Sequence, residues 1–218
     1  MNEDDDMPNG KFNRGEIREN IKELNCENNT VVLTNTMWEN VISKLTLNEF
    51  KVFMALISRY QYLNSYEPFE MTRSELNILI SKKLSIKDLE DILHSIKDKI
   101  GILKEVEFED IFKTVLIGIE SMDNIEGDFT KLDFYTVSQV CTKLELVVYF
   151  YLMRYSDCKD IYIYPTSLSN SFGIKTSFNR TNKMIRDILK GYADSYKLAS
   201  ISPIYKGKKI VAIKISKK

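Results

Sequence analysis

The sequence SFNRTNKMIRDILKGY at residues 177–192 decides the fold, because a second segment of the chain repeats its pattern. Residues 85–100 read SIKDLEDILHSIKDKI, and a shift of 92 positions aligns the helical pattern of the two segments one for one. The apolar positions recur every three or four residues, which predicts a long amphipathic helix in each segment. Each segment opens with a serine, a favourable N-cap residue. The repeat predicts two units of similar fold.

The helices that open the two units are also alike. Thr46 with Glu49 opens one, and Thr142 with Glu145 opens the other. Thr-x-x-Glu is the pattern of a capping box, in which the threonine hydroxyl accepts a hydrogen bond from the third amide and the glutamate accepts one from the threonine amide. Dense apolar residues follow in both segments, which predicts two largely buried helices.

Each unit completes the same order of elements. Between its two long helices lie a short strand-like stretch and a short helix, and two further strand-like segments follow. The strand-like stretches are 69–71, 102–108 and 112–119 in the first unit and 161–164, 199–205 and 209–215 in the second, and the short helices are 73–80 and 166–172. Helix, strand, helix, helix and hairpin is the order of a winged-helix domain, a helix-turn-helix followed by a β-hairpin wing.

We therefore expect an α+β protein with tandem winged-helix domains, the first over residues 31–138 and the second over residues 139–218. Residues 1–30 are polar and acidic, and we expect them to form a mobile tail. Trp38 is expected to anchor the core just before the first unit. The alternative is an unrelated α+β domain whose internal repeat is accidental.

The formal net charge of zero conceals an uneven distribution. Residues 1–140 contain 16 Lys and Arg against 26 Asp and Glu, whereas residues 141–218 contain 15 against 5. A basic module joined to an acidic one is typical of a protein that places one domain on a polyanion and keeps the other off it. The alternative is a chance imbalance.

The second long helix provides candidate DNA-binding residues, because the second helix of a helix-turn-helix normally enters the major groove. Four residues at spacings of four, three and four share one face, and two more flank it. The four are Asn179, Lys183, Arg186 and Lys190, and the flanking two are Arg180 and Asn182. Arginine can pair with guanine and asparagine with adenine, so this face is suited to reading bases as well as to binding phosphates. A solvated basic face is the alternative.

The predicted hairpin of the second unit carries another basic cluster. Gly207 permits a tight turn, and Lys206, Lys208 and Lys209 surround it. Lysines at the tip of a wing contact backbone phosphates, which gives affinity and register rather than sequence recognition. The alternative is a hairpin tip that only favours solubility.

The first unit carries acidic residues at the matching positions. Asp88, Glu90 and Asp91 stand where the second unit has two basic residues and an asparagine. Its predicted wing is acidic as well, with Glu105, Glu107, Glu109 and Asp110. Carboxylates are repelled by phosphates, so we expect the first unit to bind another protein surface, with a second copy of the chain as one candidate. A solvated acidic face is the alternative.

The residues that common enzyme sites require are missing from the sequence. It contains no glycine-rich phosphate loop and no dinucleotide fingerprint. His94 is the one histidine, so a single chain cannot form a two-histidine metal site. We therefore expect a protein that is not an enzyme and uses no cofactor or metal, and we place His94 on the exposed side of its helix.

Features of export are also missing. Cys26, Cys141 and Cys158 are odd in number and unpatterned, which favours free thiols in a reducing compartment. The acidic start of the chain is unlike a secretory signal, and the most apolar run, at residues 144–153, is too short to span a bilayer. The expected location is cytoplasmic, away from membranes.

The chain resembles the replication initiator (Rep) proteins of bacterial plasmids that are built from two winged-helix domains. Residues 203–215, PIYKGKKIVAIKI, are similar to the wing of that family, which runs Lys, x, Gly, basic, Lys and then alternating apolar residues. Residues 45–52, LTLNEFKV, are similar to the start of its first domain, and residues 128–137 fall where the family has the last strand before its second domain. The helix after Cys141 departs from the family in lacking the usual Ser-x-Arg-Leu-Tyr run.

The resemblance implies binding to repeated origin sequences, called iterons, with the C-terminal domain as the main reader of the major groove. It also implies that the first domain mediates dimerisation and contacts DNA more weakly. Contacts with host replication proteins, promoter repression by dimers and initiation by monomers are implied as well. The expected function is a sequence-specific double-stranded DNA-binding initiator of plasmid or phage replication. A transcription regulator or segregation adaptor of the same architecture is the first alternative. The second is a winged-helix protein-interaction subunit without sequence-specific DNA binding.

Overall fold

The structure, a computed structural model, describes residues 30–63, 67–80, 82–109, 114–119, 128–174 and 177–218 of the 218-residue chain. The helices in these ranges are α1 (Asn35–Lys44), α2 (Leu47–Leu63), α3 (Arg73–Leu79), α4 (Ile86–Ile100), α5 (Phe134–Gln139), α6 (Lys143–Arg154), α7 (Pro165–Phe172) and α8 (Phe178–Tyr192). The strands in these ranges are β1 (Thr30–Thr34), β2 (Phe69–Thr72), β3 (Leu103–Glu109), β4 (Thr114–Ile119), β5 (Phe129–Asp133), β6 (Asp160–Ile163), β7 (Leu198–Lys206) and β8 (Lys209–Lys217). The expected acidic tail lies outside the described residues, apart from Thr30 in β1.

The described strands form three antiparallel sheets, and two of these sheets have the same internal order. Strands β1 and β5 form a two-stranded ribbon in which Thr30 lies opposite Asp133. The other sheets have the orders β2-β4-β3 and β6-β8-β7, so the last strand of each unit lies in the middle. Helix, strand, helix, helix and hairpin thus occur twice in the predicted order. The predicted α+β class is confirmed.

Helix α2 begins with the predicted capping box. The backbone N of Thr46 donates to Glu49 Oε2 at 2.7 Å, and the N of Glu49 donates to Thr46 Oγ1 at 3.4 Å. Every residue from Val52 to Ser58 is buried, so α2 is the central helix of the first half. Its dense apolar sequence is explained by burial on most of its circumference.

Helix α6 forms only half of its predicted box. The N of Glu145 donates to Thr142 Oγ1 at 3.1 Å, but the Glu145 carboxylate accepts from the N of Cys141 at 2.9 Å instead of from Thr142. Glu145 also accepts a hydrogen bond of 3.4 Å from the hydroxyl of Tyr192 on α8. The carboxylate therefore connects α6 to α8 as well as capping its own helix.

The two serine caps also differ. Ser85 and Asp88 form a reciprocal capping box at the start of α4, whereas Ser177 occupies the N-cap position of α8 without a side-chain hydrogen bond. Three residues after Ser177 stands Arg180, a side chain without an acceptor, so the return bond that Asp88 makes has no counterpart in α8. A serine occupies the N-cap position of both helices, as predicted, but its side chain makes the capping hydrogen bond only in α4.

Two helices were not predicted. Helix α1 buries Trp38, Val41 and Ile42 and is capped by the side chain of Thr34. Trp38 is fully buried, as expected of a core anchor, and its indole Nε1 donates to the carbonyl O of Thr130 at 2.9 Å.

Helix α5 occupies residues that the family resemblance assigned to a strand reaching Val137. Strand β5 ends earlier, because Asp133 Oδ1 accepts a hydrogen bond of 2.7 Å from the N of Thr136 and so caps a helix there. The backbone N of Asp133 donates to the hydroxyl of Tyr149 on α6 at 2.9 Å, and burial raises the pKa of Tyr149. This hydrogen bond fixes the second half against the ribbon.

Two polar contacts between described residues also cross between the halves. They are the ion pair of Arg154 with Glu39 and the hydrogen bond from Lys143 Nζ to the O of Ser43 at 3.0 Å. Within the first half, Lys51 Nζ donates to the O of Ser138 at 2.7 Å and connects α2 to α5. Burial lowers the pKa of Lys51 and of Lys143. These contacts place α1 and α2 beside α5, α6 and α7 and leave α8 and the β7–β8 hairpin at the far end of the second half. Among the helices described, none combines the length and apolarity needed to cross a bilayer.

Candidate nucleic-acid interface

Helix α8 is held by one buried stripe. Thr181, Ile185 and Leu189 are fully buried, and the helix packs against α6, α7 and the β7–β8 hairpin. The rings of Tyr192 and Tyr149 lie 6.2 Å apart, which adds an aromatic contact to α6 near the end of the helix. The apolar pattern of residues 177–192 therefore faces the core, and the opposite side of α8 is available to a ligand.

The four residues predicted to share the outer face do share it. Asn179, Lys183 and Lys190 are exposed, and Arg186 is half-buried. Because successive residues rotate by about 100° around an α-helix, positions separated by four, three and four stay on one side. Arg180 is exposed and flanks this face, as predicted.

Asn182 does not lie where helical spacing predicted it. It was expected to flank the open face, but it is only 2 % exposed. Position 182 lies three residues before Ile185 and seven before Leu189, so it borders the buried stripe, and the packing around α8 covers it. Asn182 is therefore unable to touch a base directly in this arrangement.

The tip of the β7–β8 hairpin carries the second basic cluster. Lys206 pairs with Lys209 across the strands, and Gly207 and Lys208 form the two-residue turn. Gly207 has a φ of +63°, a conformation that glycine adopts without strain and that a II′ hairpin turn requires at its first central position. Lys206, Lys208 and Lys209 are all exposed.

The cations of the second half fall into two groups. One group is engaged within the protein: Lys143 and Arg154 bind the first half, Lys214 Nζ pairs with Asp160 at 2.9 Å, and Lys217 Nζ donates to the O of Tyr155 at 2.9 Å. The second group makes no side-chain hydrogen bond or ion pair with any residue that the structure describes. Its exposed members on α8 and at the hairpin tip are Arg180, Lys183, Lys190, Lys206, Lys208 and Lys209, while Lys159, Lys197 and Lys218 are exposed elsewhere on the second half. The six on α8 and the hairpin tip, which we call the open cations, are all among the predicted site residues.

The first half presents a different surface at the corresponding helix. The positions of Asn179, Lys183, Arg186 and Lys190 are taken in α4 by Lys87, Asp91, His94 and Asp98. The side chain of His94 is 55 % exposed, as predicted, and its Nε2 lies 4.0 Å from Glu90 Oε1.

The predicted acidic residues of α4 are exposed. Glu90 and Asp91 face solvent, and Asp88 does so while the hydrogen bonds from Ser85 lower its pKa. In the first hairpin Glu107 is exposed, whereas Asp110 and the side chains of Glu105 and Glu109 lie outside what the structure describes. The arrangement of charge thus opposes binding of a phosphate backbone by α4.

A group of exposed tyrosines at the sheet β6-β8-β7 was not predicted from the sequence. Tyr162, Tyr164 and Tyr205 are exposed, and Tyr162 lies under Lys214 Nζ at 5.9 Å from the ring centroid. The alternation of isoleucine and tyrosine over residues 161–164 was the available signal, since alternate residues of a strand point to opposite faces. Tyr205 adjoins the lysines of the hairpin tip.

Comparisons with known proteins give a match in structure and none in sequence. No protein-family model matches the chain, and no curated protein is similar to it in sequence. The fold is similar to that in the crystal structure of the Pi initiator protein in complex with iteron DNA, with a TM-score of 0.61 and 11 % sequence identity. The match covers 86 % of this chain and 96 % of the other. The chain therefore shares the fold of that protein over most of its length.

Proposed function

We propose that the protein is a non-enzymatic, sequence-specific double-stranded DNA-binding initiator of plasmid or phage replication. Its two halves are tandem winged-helix domains divided near residues 138 and 139. In the second domain α8 enters the major groove, and the β7–β8 hairpin is the wing. The observation that carries the proposal is the set of open cations, which lie on α8 and at the hairpin tip and bind no described group of the protein itself.

The two basic clusters have different roles in this proposal. The lysines of the hairpin tip neutralise phosphates, and each such contact adds about 0.9 to the dependence of log K on log salt concentration. Arg186 and Asn179 face outward on α8 and are suited to base edges. Arg186→Ala is expected to cost about 1–3 kcal/mol at one position of the DNA site.

The first domain is proposed to bind protein rather than DNA. Its exposed carboxylates on α4 oppose phosphate binding, and a second copy of the chain or a host replication protein is the partner that the family resemblance implies. The similarity in fold to an initiator that was crystallised with iteron DNA supports DNA binding by the protein as a whole.

Selection of bound sequences from a random duplex pool, with the full chain, tests the proposal. We expect one motif to be enriched and to bind about 10³-fold or more tightly than random duplex at physiological salt. Several copies of that motif in a replication origin would support an initiator, whereas a single copy at a promoter would support a regulator. A pool without any enriched motif would reject sequence-specific binding and favour an interaction subunit.

A further inference from the structure

Two polar side chains on α8 lack hydrogen-bond partners at buried atoms. Asn182 is 2 % exposed, and its Oδ1 and Nδ2 make no hydrogen bond with any residue that the structure describes. The Nε of Arg186 is buried in the same way and has no acceptor among those residues. A buried donor or acceptor without a partner costs its full desolvation free energy, so both groups are destabilising as they stand.

The two unpaired groups are complementary and lie one helical turn apart. Residues four positions apart are neighbours on the surface of a helix. A long side chain on a helix leans toward the N-terminus and covers the preceding turn, so Arg186 extends over the turn that contains Asn182. Asn182 Oδ1 is an acceptor and Arg186 Nε–H is a donor.

We propose that Asn182 is a positioning residue for Arg186, and this inference rests on the proposed DNA-binding function. When α8 enters the groove, Asn182 Oδ1 accepts the hydrogen bond from Arg186 Nε and fixes the plane of the guanidinium. The two terminal nitrogens of Arg186 then point away from the helix, toward the O6 and N7 of a guanine. The buried asparagine thus acts on sequence recognition only through the arginine.

The corresponding position of the first half supports this assignment. Glu90 occupies it in α4, where it is exposed, and His94 stands in the place of Arg186. The buried asparagine and the outward arginine therefore occur together in α8, on the helix that carries open cations. Glu90 also provides a control at the same helical position.

The test measures sequence preference, defined as the ratio of the Kd for a scrambled duplex to the Kd for the selected duplex. Fluorescence anisotropy at fixed salt gives both constants for the full chain, and thermal unfolding gives Tm. Asn182→Leu is expected to lower the preference about tenfold, the effect of losing one hydrogen bond to a charged group. Its Tm should stay the same or rise, because an unpaired amide leaves the interior. A loss of preference without a loss of Tm separates a positioning role from a merely structural one.

Two further variants locate the effect at Arg186. In an Arg186→Ala background, Asn182→Leu is expected to change the preference less than about twofold, since the two residues act as one unit. Asn182→Asp keeps the acceptor and the shape of the side chain, and it should retain the preference of the wild type. Glu90→Leu is the matched control and should leave the preference unchanged.

Each possible result either supports or overturns the positioning role of Asn182. The inference is overturned if Asn182→Leu keeps the wild-type preference, or if it lowers the preference equally in the Arg186→Ala background. Should Asn182→Leu lower Tm sharply, Asn182→Asp decides: a retained preference supports the pairing, and a lost preference overturns it. A wild-type ratio near one would instead overturn the proposed function, and the inference with it.

Discussion

Helices α4 and α8 are each 15 residues long, start after a serine and bury two matching positions, Leu89 with Thr181 and Leu93 with Ile185, yet their outer faces carry opposite chemistry. Where α8 presents Lys183 and Lys190, α4 presents Asp91 and Asp98. The shared part is the stripe that packs on the core, and the divergent part is the side that packs on nothing in the described chain. Folding thus constrains one side of each helix and leaves the other side to determine which partner it binds.

The first turns of the two helices also carry opposite charges. Asp88 at the third position of α4 is favourable next to the positive end of the helix dipole, whereas Arg180 at the third position of α8 is unfavourable by about 0.3–1 kcal/mol. An anion bound near Arg180 would make the electrostatic free energy at this helix end favourable. The free protein therefore has a less stable start to α8 than to α4, and a phosphate would compensate for it.

Reversing charge on α8 is expected to have the largest effect. Lys183→Asp with Lys190→Asp gives α8 the carboxylates that α4 has at Asp91 and Asp98 and should weaken binding to the selected duplex about 100-fold or more, since two phosphate attractions become repulsions. The matched control, Asp91→Lys with Asp98→Lys, should change the Kd less than about threefold. Anisotropy titrations compare the two. Equal effects of both double variants would show that the two helices contribute alike to DNA binding.

The next largest effect is expected on stability, where Glu49 and Glu145 of the two Thr-x-x-Glu segments should differ. Glu49 accepts hydrogen bonds from Lys99 Nζ at 2.7 Å and Ser95 Oγ at 2.6 Å in addition to the N of Thr46. Glu49→Gln should lower the free energy of unfolding by about 2 kcal/mol, because it leaves Lys99 without its counter-charge. Glu145→Gln should cost about 0.5 kcal/mol, since its hydrogen bonds involve no cation. Thermal unfolding measures both, and a larger cost at Glu145 would contradict this ranking.

Glu49 also predicts that the stability of the protein depends on pH. Burial alone would raise the pKa of Glu49, but the bonds from Lys99, Ser95 and Thr46 lower it from an ordinary value of 4.5 to about 2. Because the unfolded chain binds this proton first as the pH falls, the stabilisation is complete above about pH 4.5 and is lost toward pH 2. The difference in stability between wild type and Glu49→Gln should therefore narrow across that interval. A constant difference would assign the stability to packing rather than to charge.

The wing is expected to contribute less than α8. Lys208→Ala with Lys209→Ala should weaken binding to all duplexes by about tenfold and lower the salt slope by about 1–2. Lys214→Ala with Lys217→Ala is the matched control in the same sheet, because these lysines bind Asp160 and the carbonyl O of Tyr155. The control should leave the slope unchanged. An unchanged slope in the wing variant would reject its contact with phosphates.

The smallest expected effect concerns the two serine caps. Ser85→Ala should destabilise the protein by about 1 kcal/mol, because it removes the capping box of α4. Ser177→Ala should cost less than about 0.3 kcal/mol, since Ser177 makes no side-chain cap bond. Denaturant titration resolves the difference. Equal costs would show that Ser177 caps α8 in solution.

Much of the fold could be predicted from the sequence, because the periodicity of α2, α4, α6 and α8 depends on residues close together in the chain. Helix α5 could not, since Asp133 stands at the end of a strand, and only the fold shows that its Oδ1 accepts from the N of Thr136 and starts a helix there. On α8 the outward position of Asn179, Lys183 and Lys190 followed from helical spacing alone. The burial of Asn182 did not, because neighbouring elements decide whether the residue at the edge of a stripe is covered.

The contacts that connect the two halves have a consequence for any operator the protein uses. Arg154 and Lys143 each bond to the first half, and Tyr149 accepts a hydrogen bond from Asp133, so these contacts hold α6, on which α8 packs, against the first half. If two chains pair through their first halves and bind DNA through α8, the two α8 helices are held at one fixed separation. Adding about five base pairs between half-sites turns one of them by half a helical turn, to the far side of the duplex, where the paired molecule cannot follow.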